Sequence, residues 1–306
     1  MTGPSPFRRA LITGASGYLG YHLAQRLTRD GWEVSAVTRQ NSDTKKLEKL
    51  ALISLHKHDG GTEGLIKIMK QVRPEIIFHL ASLVQVNHGA EDVGPLVTSN
   101  ILFGTQLLEA AVRSGVHFFV NTGSYWQHYE GQDYNPVNLY AATKQAFQDI
   151  LRFYTESFPL RAVTLKLFDI YGPEDPRNKI FNQLEEAASS GNPLRMSPGG
   201  QGLDLVFIDD AVAAYCRAAE LLEVAKGGGL EESYVVSSGR QVPLREVVEI
   251  YQRETRKKVP VEWGGRPYRQ REVMKPWTGK ALPGWKPVVN LETGISRMIC
   301  QVSERK

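Results

Sequence analysis

Cysteine is scarce: Cys216 and Cys300 are the only two in 306 residues. They follow no metal-ligand spacing and are too few for a disulfide scaffold, so both read as small core residues of a chain kept in a reducing compartment. Long apolar runs are missing as well. No stretch approaches the roughly 18 consecutive apolar residues that span a bilayer, and the opening MTGPSPFRR has no apolar signal core. The expected setting is therefore cytoplasmic, with no membrane partner. Neither sign of charge dominates: 37 basic residues face 33 acidic ones, a net charge of +4. The basic residues are scattered rather than gathered into an arm, which suits a small anionic substrate better than nucleic acid. Internal repeats and low-complexity segments are also lacking, and 42% hydrophobic content with 23% charge argues against long disorder.

What the chain does contain is alternation. The runs RALIT, EVSAVT, LISLHKH, EIIFHLA, HFFVNT and AVTLKLF predict strands, and amphipathic patterns over 18–30, 91–114 and 137–157 predict helices between them. Such βαβ units imply an α/β fold with a doubly wound parallel sheet, Rossmann-like, covered by helices on both faces. We expect a dinucleotide-binding domain over 1–170, with 204–225 packing back on it. Beyond 170, YGPEDPRN, SSGNPLRMSPGGQG and AKGGGLEE break the rhythm. Residues 171–306 are expected to form mainly a smaller, discontinuous substrate-binding lobe. Asp209 and Asp210 stand where a carboxylate can cap the start of an apolar-periodic helix.

The stretch LITGASGYLG places Gly14, Gly17 and Gly20 three residues apart, between the first strand and the first helix. Glycine lacks the Cβ that would hold a pyrophosphate away from the backbone N–H groups of a helix N-terminus. A bare strand-to-helix turn would spell the same letters. A second motif, NLYAATKQA, supplies Tyr140 and Lys144. Twelve tyrosines and sixteen lysines leave roughly 0.6 Tyr-x-x-x-Lys pairs to chance, so this pair means little alone. On a helix the two side chains share a face, where the ammonium can stabilise a phenolate and lower the tyrosine pKa. A third motif, FFVNTGSYWQHY, ends a strand with Ser124, sixteen residues before Tyr140, and Thr122 competes with it as the hydroxyl of interest.

Together, TGASGYLG, Ser124 and Tyr140-x-x-x-Lys144 resemble the extended short-chain dehydrogenases/reductases. FHLAS (78–82), SNILFGTQLLEAA (from 99), LKLFDIYGP (165–173) and LDLVFIDDAV (203–212) extend the resemblance to the NAD-dependent epimerase/dehydratase family of nucleotide-sugar enzymes. The resemblance implies that Ser124, Tyr140 and Lys144 are catalytic. It further implies that Gly14, Ser16, Gly17, Tyr18, Leu19, Gly20, Asp59, Leu80, Ala81, Ser82, Asn100, Tyr140, Lys144, Phe168 and Ile170 line the cofactor. Asn100 supports the active site in this picture. Asp59 matches an adenine-contacting acid, or else simply starts the next turn.

An NAD enzyme usually places an acidic residue at the end of the second strand to accept from the ribose 2′-hydroxyl. Arg39 stands there instead, so the cofactor reading is NADP(H), with NAD(H) as the alternative; a solvated loop arginine is the plainer account of the same residue. A dissociable NADPH goes with net reduction, whereas epimerases keep NAD bound. Sugar 4,6-dehydratases of the family carry Asp-Glu after the serine, and this chain has Tyr125-Trp126. Elimination then lacks its acid and base. The two aromatics line the sugar pocket or fill the core.

On the substrate side the resemblance points to Asp169, Asn178, Arg195 and Arg269, with Asn178 and Arg269 near the diphosphate unless they only cap or solvate loops. Leu203 and Asp169 depart from the family's arginine and asparagine. SGYLGYHL, LDLVFIDDAV, GRPYRQREVM and LPGWKPVVNLETGI are most similar to reductases of CDP-linked 4-keto-3,6-dideoxyhexoses, the abequose and paratose synthase group. Reductases of dTDP-linked 4-keto-6-deoxy sugars are close competitors, and a 4-epimerase with tightly bound NAD is the alternative activity. A cofactor-sensing scaffold would more often lack the Tyr-x-x-x-Lys pair. A homodimer through the 91–114 and 137–157 helices is what the family implies, with no metal and no nucleic acid.

Overall fold

The structure, a computed structural model, describes residues 8–224 and 231–303. The first seven residues and the Cys300 side chain, both read above, lie outside the described residues. The strands are β1 (Arg9–Thr13), β2 (Glu33–Thr38), β3 (Ile53–Lys57), β4 (Ile76–His79), β5 (Phe118–Ser124), β6 (Arg161–Leu167), β7 (Asp169–Tyr171), β8 (Leu194–Met196), β9 (Gly202–Phe207), β10 (Glu231–Val236), β11 (Gln241–Pro243) and β12 (Val261–Trp263). The helices are α1 (Tyr18–Arg29), α2 (Thr62–Val72), α3 (Val93–Val97), α4 (Phe103–Arg113), α5 (Leu139–Ser157), α6 (Ile180–Ser190), α7 (Ile208–Val224), α8 (Leu244–Thr255) and α9 (Leu291–Ser303).

Seven strands pair in the order β10-β6-β5-β4-β1-β2-β3, every neighbour parallel. Parallel strands need crossovers, and these put helices on both faces, which explains strands such as β4 that are buried at every position. Successive side chains serve opposite cores. Ile12, Phe78, Val120 and Leu165 pack on the α1 and α7 side; their neighbours Leu11, Ile77 and Phe119 pack with Leu107, Phe147 and Leu151 of α4 and α5. The expected α/β doubly wound sheet is therefore present.

Beyond β6 the chain builds a smaller region of mixed sheets. β7 pairs parallel and β11 antiparallel with β9, while β8 and β12 form a parallel pair. Two segments return to the large sheet: α7 packs over β5 and β6, and β10 extends the sheet beyond β6, outside the 204–225 segment expected there. Asp210 does not cap its helix. It is buried inside the first turn of α7, and its carboxylate accepts instead from the Val288 and Val289 N–H groups at 3.0 and 2.9 Å. Among the described residues no helix is long and apolar enough to cross a membrane.

Candidate active site

The strand order reverses between β1 and β4, and the crevice beyond their C-terminal ends is where such sheets bind dinucleotides. Gly14 follows β1 in the left-handed region at φ 77°, and a Cβ there would sit 2.6 Å from the Ala81 nitrogen of the segment after β4. A Cβ on Gly20 would lie 2.1 Å from the Gly14 carbonyl oxygen. The three-glycine spacing thus lets the loop fold onto itself and onto Leu80–Ser82. Helix α1 begins after Gly17 with no side-chain cap and no acidic residue in its first turn, which leaves its N–H groups for an anion. The Tyr18 side chain points away from this cradle, buried with its hydroxyl donating to the Pro173 carbonyl at 3.0 Å, while its backbone N–H stands at the open helix start.

Ser124, the last residue of β5, and Tyr140 and Lys144, one turn apart near the start of α5, are all buried. The Tyr140 hydroxyl is hydrogen-bonded with Ser124 and with Ser82. Burial pushes the phenol up to about 12, while those two hydrogen bonds pull it down. Burial also brings the Lys144 ammonium down to about 8, and among the described residues it has no carboxylate partner. The sequence-based expectation of a tyrosine lowered by its lysine is corrected here: without solvent both ionised forms are disfavoured, and desolvation outweighs the hydrogen bonds. Thr122 is out of contention as a rival to Ser124, because its hydroxyl donates to the His79 carbonyl at 2.8 Å and lies 2.6 Å from the Tyr215 hydroxyl under α7.

A polar frame holds this cluster. Asn100 lies buried in a π-helical turn, Thr98–Leu102, between α3 and α4. Its Oδ1 accepts from Ser82 Oγ at 3.1 Å and Leu83 N at 2.8 Å, and its Nδ2 donates to the Leu83 carbonyl and to Thr143 Oγ1, each at 2.9 Å. Thr143 Oγ1 donates in turn to the Tyr140 carbonyl at 2.7 Å. Below them His79 Nδ1 is 2.8 Å from Thr13 Oγ1; burial, with the Lys144 charge second, brings this histidine down to about 3 and keeps it neutral.

Trp126 stands edge-on to Tyr140 at 6.3 Å, and the Arg269 guanidinium lies 5.9 Å from the Trp126 ring centre. Tyr125 is buried, stacked on Phe168 at 4.5 Å, and its hydroxyl donates to Asp169 at 3.2 Å; Asp169 also takes Lys179 Nζ at 3.4 Å. Tyr125 is thus packed into the core, and Trp126 is the aromatic beside Tyr140. Ile170 is buried in β7. Phe168 is buried and Leu19 half-buried, whereas Ser16, Arg39, Asp59, Asn178, Arg195 and Arg269 are exposed. Arg39 follows β2 in a tight turn closed by its N–H to Ser42 Oγ at 3.2 Å. Asp59 accepts from Gly61 N at 2.9 Å at the start of α2, Asn178 precedes α6, and Arg195 pairs with Glu262 across β8 and β12 at 3.4 Å.

Residues 10–236 match the profile of the NAD dependent epimerase/dehydratase family. The chain belongs to this family. Among its curated relatives are CDP-abequose synthase of Salmonella muenchen, 25% identical over 300 residues with 95% of this chain and 97% of that one covered, and UDP-glucose 4-epimerase of Mycolicibacterium smegmatis, 28% identical over 320 residues with coverage of 95% and 97%. Two solved structures share the fold. UDP-glucose 4-epimerase of Thermotoga maritima superposes with a TM-score of 0.83 at 23% identity, covering 97% of this chain and 99% of that one. UDP-glucuronic acid 4-epimerase of Bacillus cereus, in complex with UDP-glucuronic acid and NAD, also gives 0.83 at 21% identity, covering 97% and 100%.

NAD(P) is the cofactor class of this epimerase/dehydratase family, and the residues present fit such a group: an uncapped helix start behind three close-packed glycines, and a buried lysine without a carboxylate. The sequence reading missed Gln127, which is fully buried and accepts from Ser124 N–H at 2.9 Å. A signal existed, because Ser124-x-x-Gln127 spells a capping box. It also missed Thr143 and the contact of Ser82 with Tyr140, for which no local pattern exists.

Proposed function

We propose that this protein uses NADPH to reduce the 4-keto group of a nucleotide-linked (CDP or dTDP) 6-deoxy or 3,6-dideoxy hexulose in deoxysugar biosynthesis. The observation that carries the reading is the meeting of the Ser124 and Tyr140 hydroxyls, with buried Lys144 one turn further along α5. The segment Leu80–Ser82 that touches Tyr140 also touches the glycine loop. Arg39, exposed and with no carboxylate partner among the described residues, supports the 2′-phosphate of NADP. Tyr125 and Trp126 supply no acid–base pair for dehydration. The likeness to CDP-abequose synthases over nearly their whole length supports the substrate class.

When bound, the nicotinamide supplies a hydride. The chain's own part is to place and move a proton. Tyr140, kept protonated at neutral pH by burial, hydrogen-bonds the keto oxygen together with Ser124 and gives its proton to that oxygen as charge develops. Lys144, charged below about 8, stabilises the phenolate left behind and would hold the cofactor ribose. On the substrate side, Trp126 and Arg269 flank the sugar and its diphosphate, and Asp169 accepts from sugar hydroxyls; Asn178 and Arg195 add cationic and polar reach at the nucleotide end.

The deciding experiment follows NADPH and NADH consumption with CDP-, dTDP-, UDP- and GDP-linked 4-keto sugars. NADPH oxidation with a CDP- or dTDP-linked sugar is expected, and no oxidation with any of them would sink the reading. The likeness to UDP-glucose 4-epimerase favours a second activity, 4-epimerisation with tightly bound NAD; it requires NAD that survives gel filtration. A homodimer goes with either activity. Val97, Leu102 and Phe153 are exposed apolar side chains on the α3–α4 and α5 surfaces, and Phe153→Asp should yield monomers by light scattering.

A further inference from the structure

We infer that Gln127 is a positioning residue, a brace that fixes Ser124 on the sheet relative to Tyr140 and Lys144 on the helix. The inference rests on the reading of these three as the reacting site. Ser124 ends a strand, the other two start α5, and residues 125–138 between them are short turns and loop. Such a connection does not by itself fix the distance between a hydroxyl on one element and a phenol on the other.

Gln127 makes that link within three residues of Ser124. Its side chain is fully buried. Oε1 accepts from the Ser124 backbone N–H at 2.9 Å, and because a backbone N–H can only donate, this bond fixes which end of the amide faces the strand. Nε2 then donates to Gln145 Oε1 at 2.8 Å and to Gln148 Oε1 at 3.1 Å. These two glutamines sit one and four positions beyond Lys144 on α5. The anchor continues outward, for Gln148 Nε2 donates to Glu231 Oε1 at 3.0 Å and Ser233 Oγ at 2.8 Å on β10. Room for the amide comes from Gly123, where a Cβ would lie 2.9 Å from Gln127 Oε1. Both amide hydrogens and the carbonyl of Gln127 are therefore spent on joining strand to helix, and none faces the substrate side.

The test uses the full-length protein with NADPH and a CDP-linked 4-keto-3,6-dideoxyhexose. Gln127→Leu keeps the volume and removes the three bonds; kcat should fall on the order of 100-fold, the cost of misplacing a reacting group by about 1 Å, with NADPH affinity held within about twofold. In a Ser124→Ala background the same substitution should cost less than about threefold, since there is no hydroxyl left to position. A merely structural role would carry the full loss into that background, and this result, or wild-type kcat in Gln127→Leu, overturns the inference. If Gln127→Leu does not fold, Gln145→Leu/Gln148→Leu cuts the same brace at half-buried positions. It should lower kcat about tenfold with the same dependence on Ser124, and unchanged kcat overturns the inference. Full turnover in Tyr140→Phe would bring down the reading of the site itself. Loss in Tyr140→Phe with wild-type turnover in Gln127→Leu overturns the brace alone.

Discussion

Asn100 donates to Thr143 across 2.9 Å, joining the π-turn between α3 and α4 to the helix that carries Tyr140 and Lys144. Both ends are buried, so the bond exists without competition from water. Through Ser82 the same amide reaches the loop beside the glycines.

Asn100→Ala leaves the Leu83 backbone groups and Thr143 short of partners inside the protein. Each unsatisfied buried group costs about 1–3 kcal/mol, so the variant should lose about 3 kcal/mol in urea unfolding. Turnover should fall more steeply than NADPH affinity, because Tyr140 and Ser82 lose their common support. Wild-type stability would mean that water or a side-chain shift replaces the amide.

The glycines are not equivalent. Gly17→Ala meets only the Gly14 carbonyl oxygen at 3.2 Å, whereas Gly20→Ala drives a methyl group to 2.1 Å from that same atom. The backbone must then move by more than an ångström. Dinucleotide affinity should drop about tenfold or less in Gly17→Ala and become unmeasurable in Gly20→Ala, as read by NADPH fluorescence.

Lys144 makes ligand-free stability depend on pH. Its folded value is about 8 against 10.5 when solvated. Between those values the unfolded chain holds the extra proton, so stability rises from about pH 8 to pH 10, and the group is destabilising below 8 by at most about 3 kcal/mol. Lys166, also lowered to about 8 by burial, adds in the same direction. Above pH 10 the trend reverses, because Tyr140, raised to about 12, keeps its proton in the folded state alone. Lys144→Met should be more stable than wild type at pH 7 and show a shallower rise to pH 10 in urea titrations. An undiminished rise would assign the titration elsewhere.

Arg39 is the cofactor discriminator under the proposed function. Its loss removes a charged hydrogen bond worth about 1.5–3 kcal/mol, so Arg39→Ala should lower kcat/KM for NADPH by about 10–100-fold and leave NADH unchanged. An equal effect on both dinucleotides would overturn this role, because the turn's bond to Ser42 comes from the Arg39 backbone N–H and survives the substitution.

The sheet was legible because its signal is periodic: RALIT, EVSAVT and HFFVNT are buried runs between amphipathic helices, and each became a strand. The candidate site was legible because its letters fall into short motifs: the three glycines, Ser124 at a strand end and Tyr140-x-x-x-Lys144. What the letters hid depends on environment. Burial, which no motif encodes, raised Tyr140 where charge alone predicts lowering. Asp210 was read as a cap because Asp favours such positions, yet its partners are Val288 and Val289, 78 and 79 residues away. Tyr125 and Trp126 were indistinguishable as adjacent aromatics, and only the fold turned one toward Phe168 and the other toward Tyr140.

The return of β10 to the large sheet has a consequence for how the molecule comes apart. The chain leaves β6, builds β7, β8, β9 and α7, and only then places its seventh strand against β6. A fragment ending near residue 170 would leave the whole length of β6 with unpaired amide and carbonyl groups, a template for pairing with other chains. Neither lobe is then expected to fold by itself. Truncation at the apparent boundary should yield aggregates rather than a minimal cofactor-binding domain, and the intact chain should melt as one body.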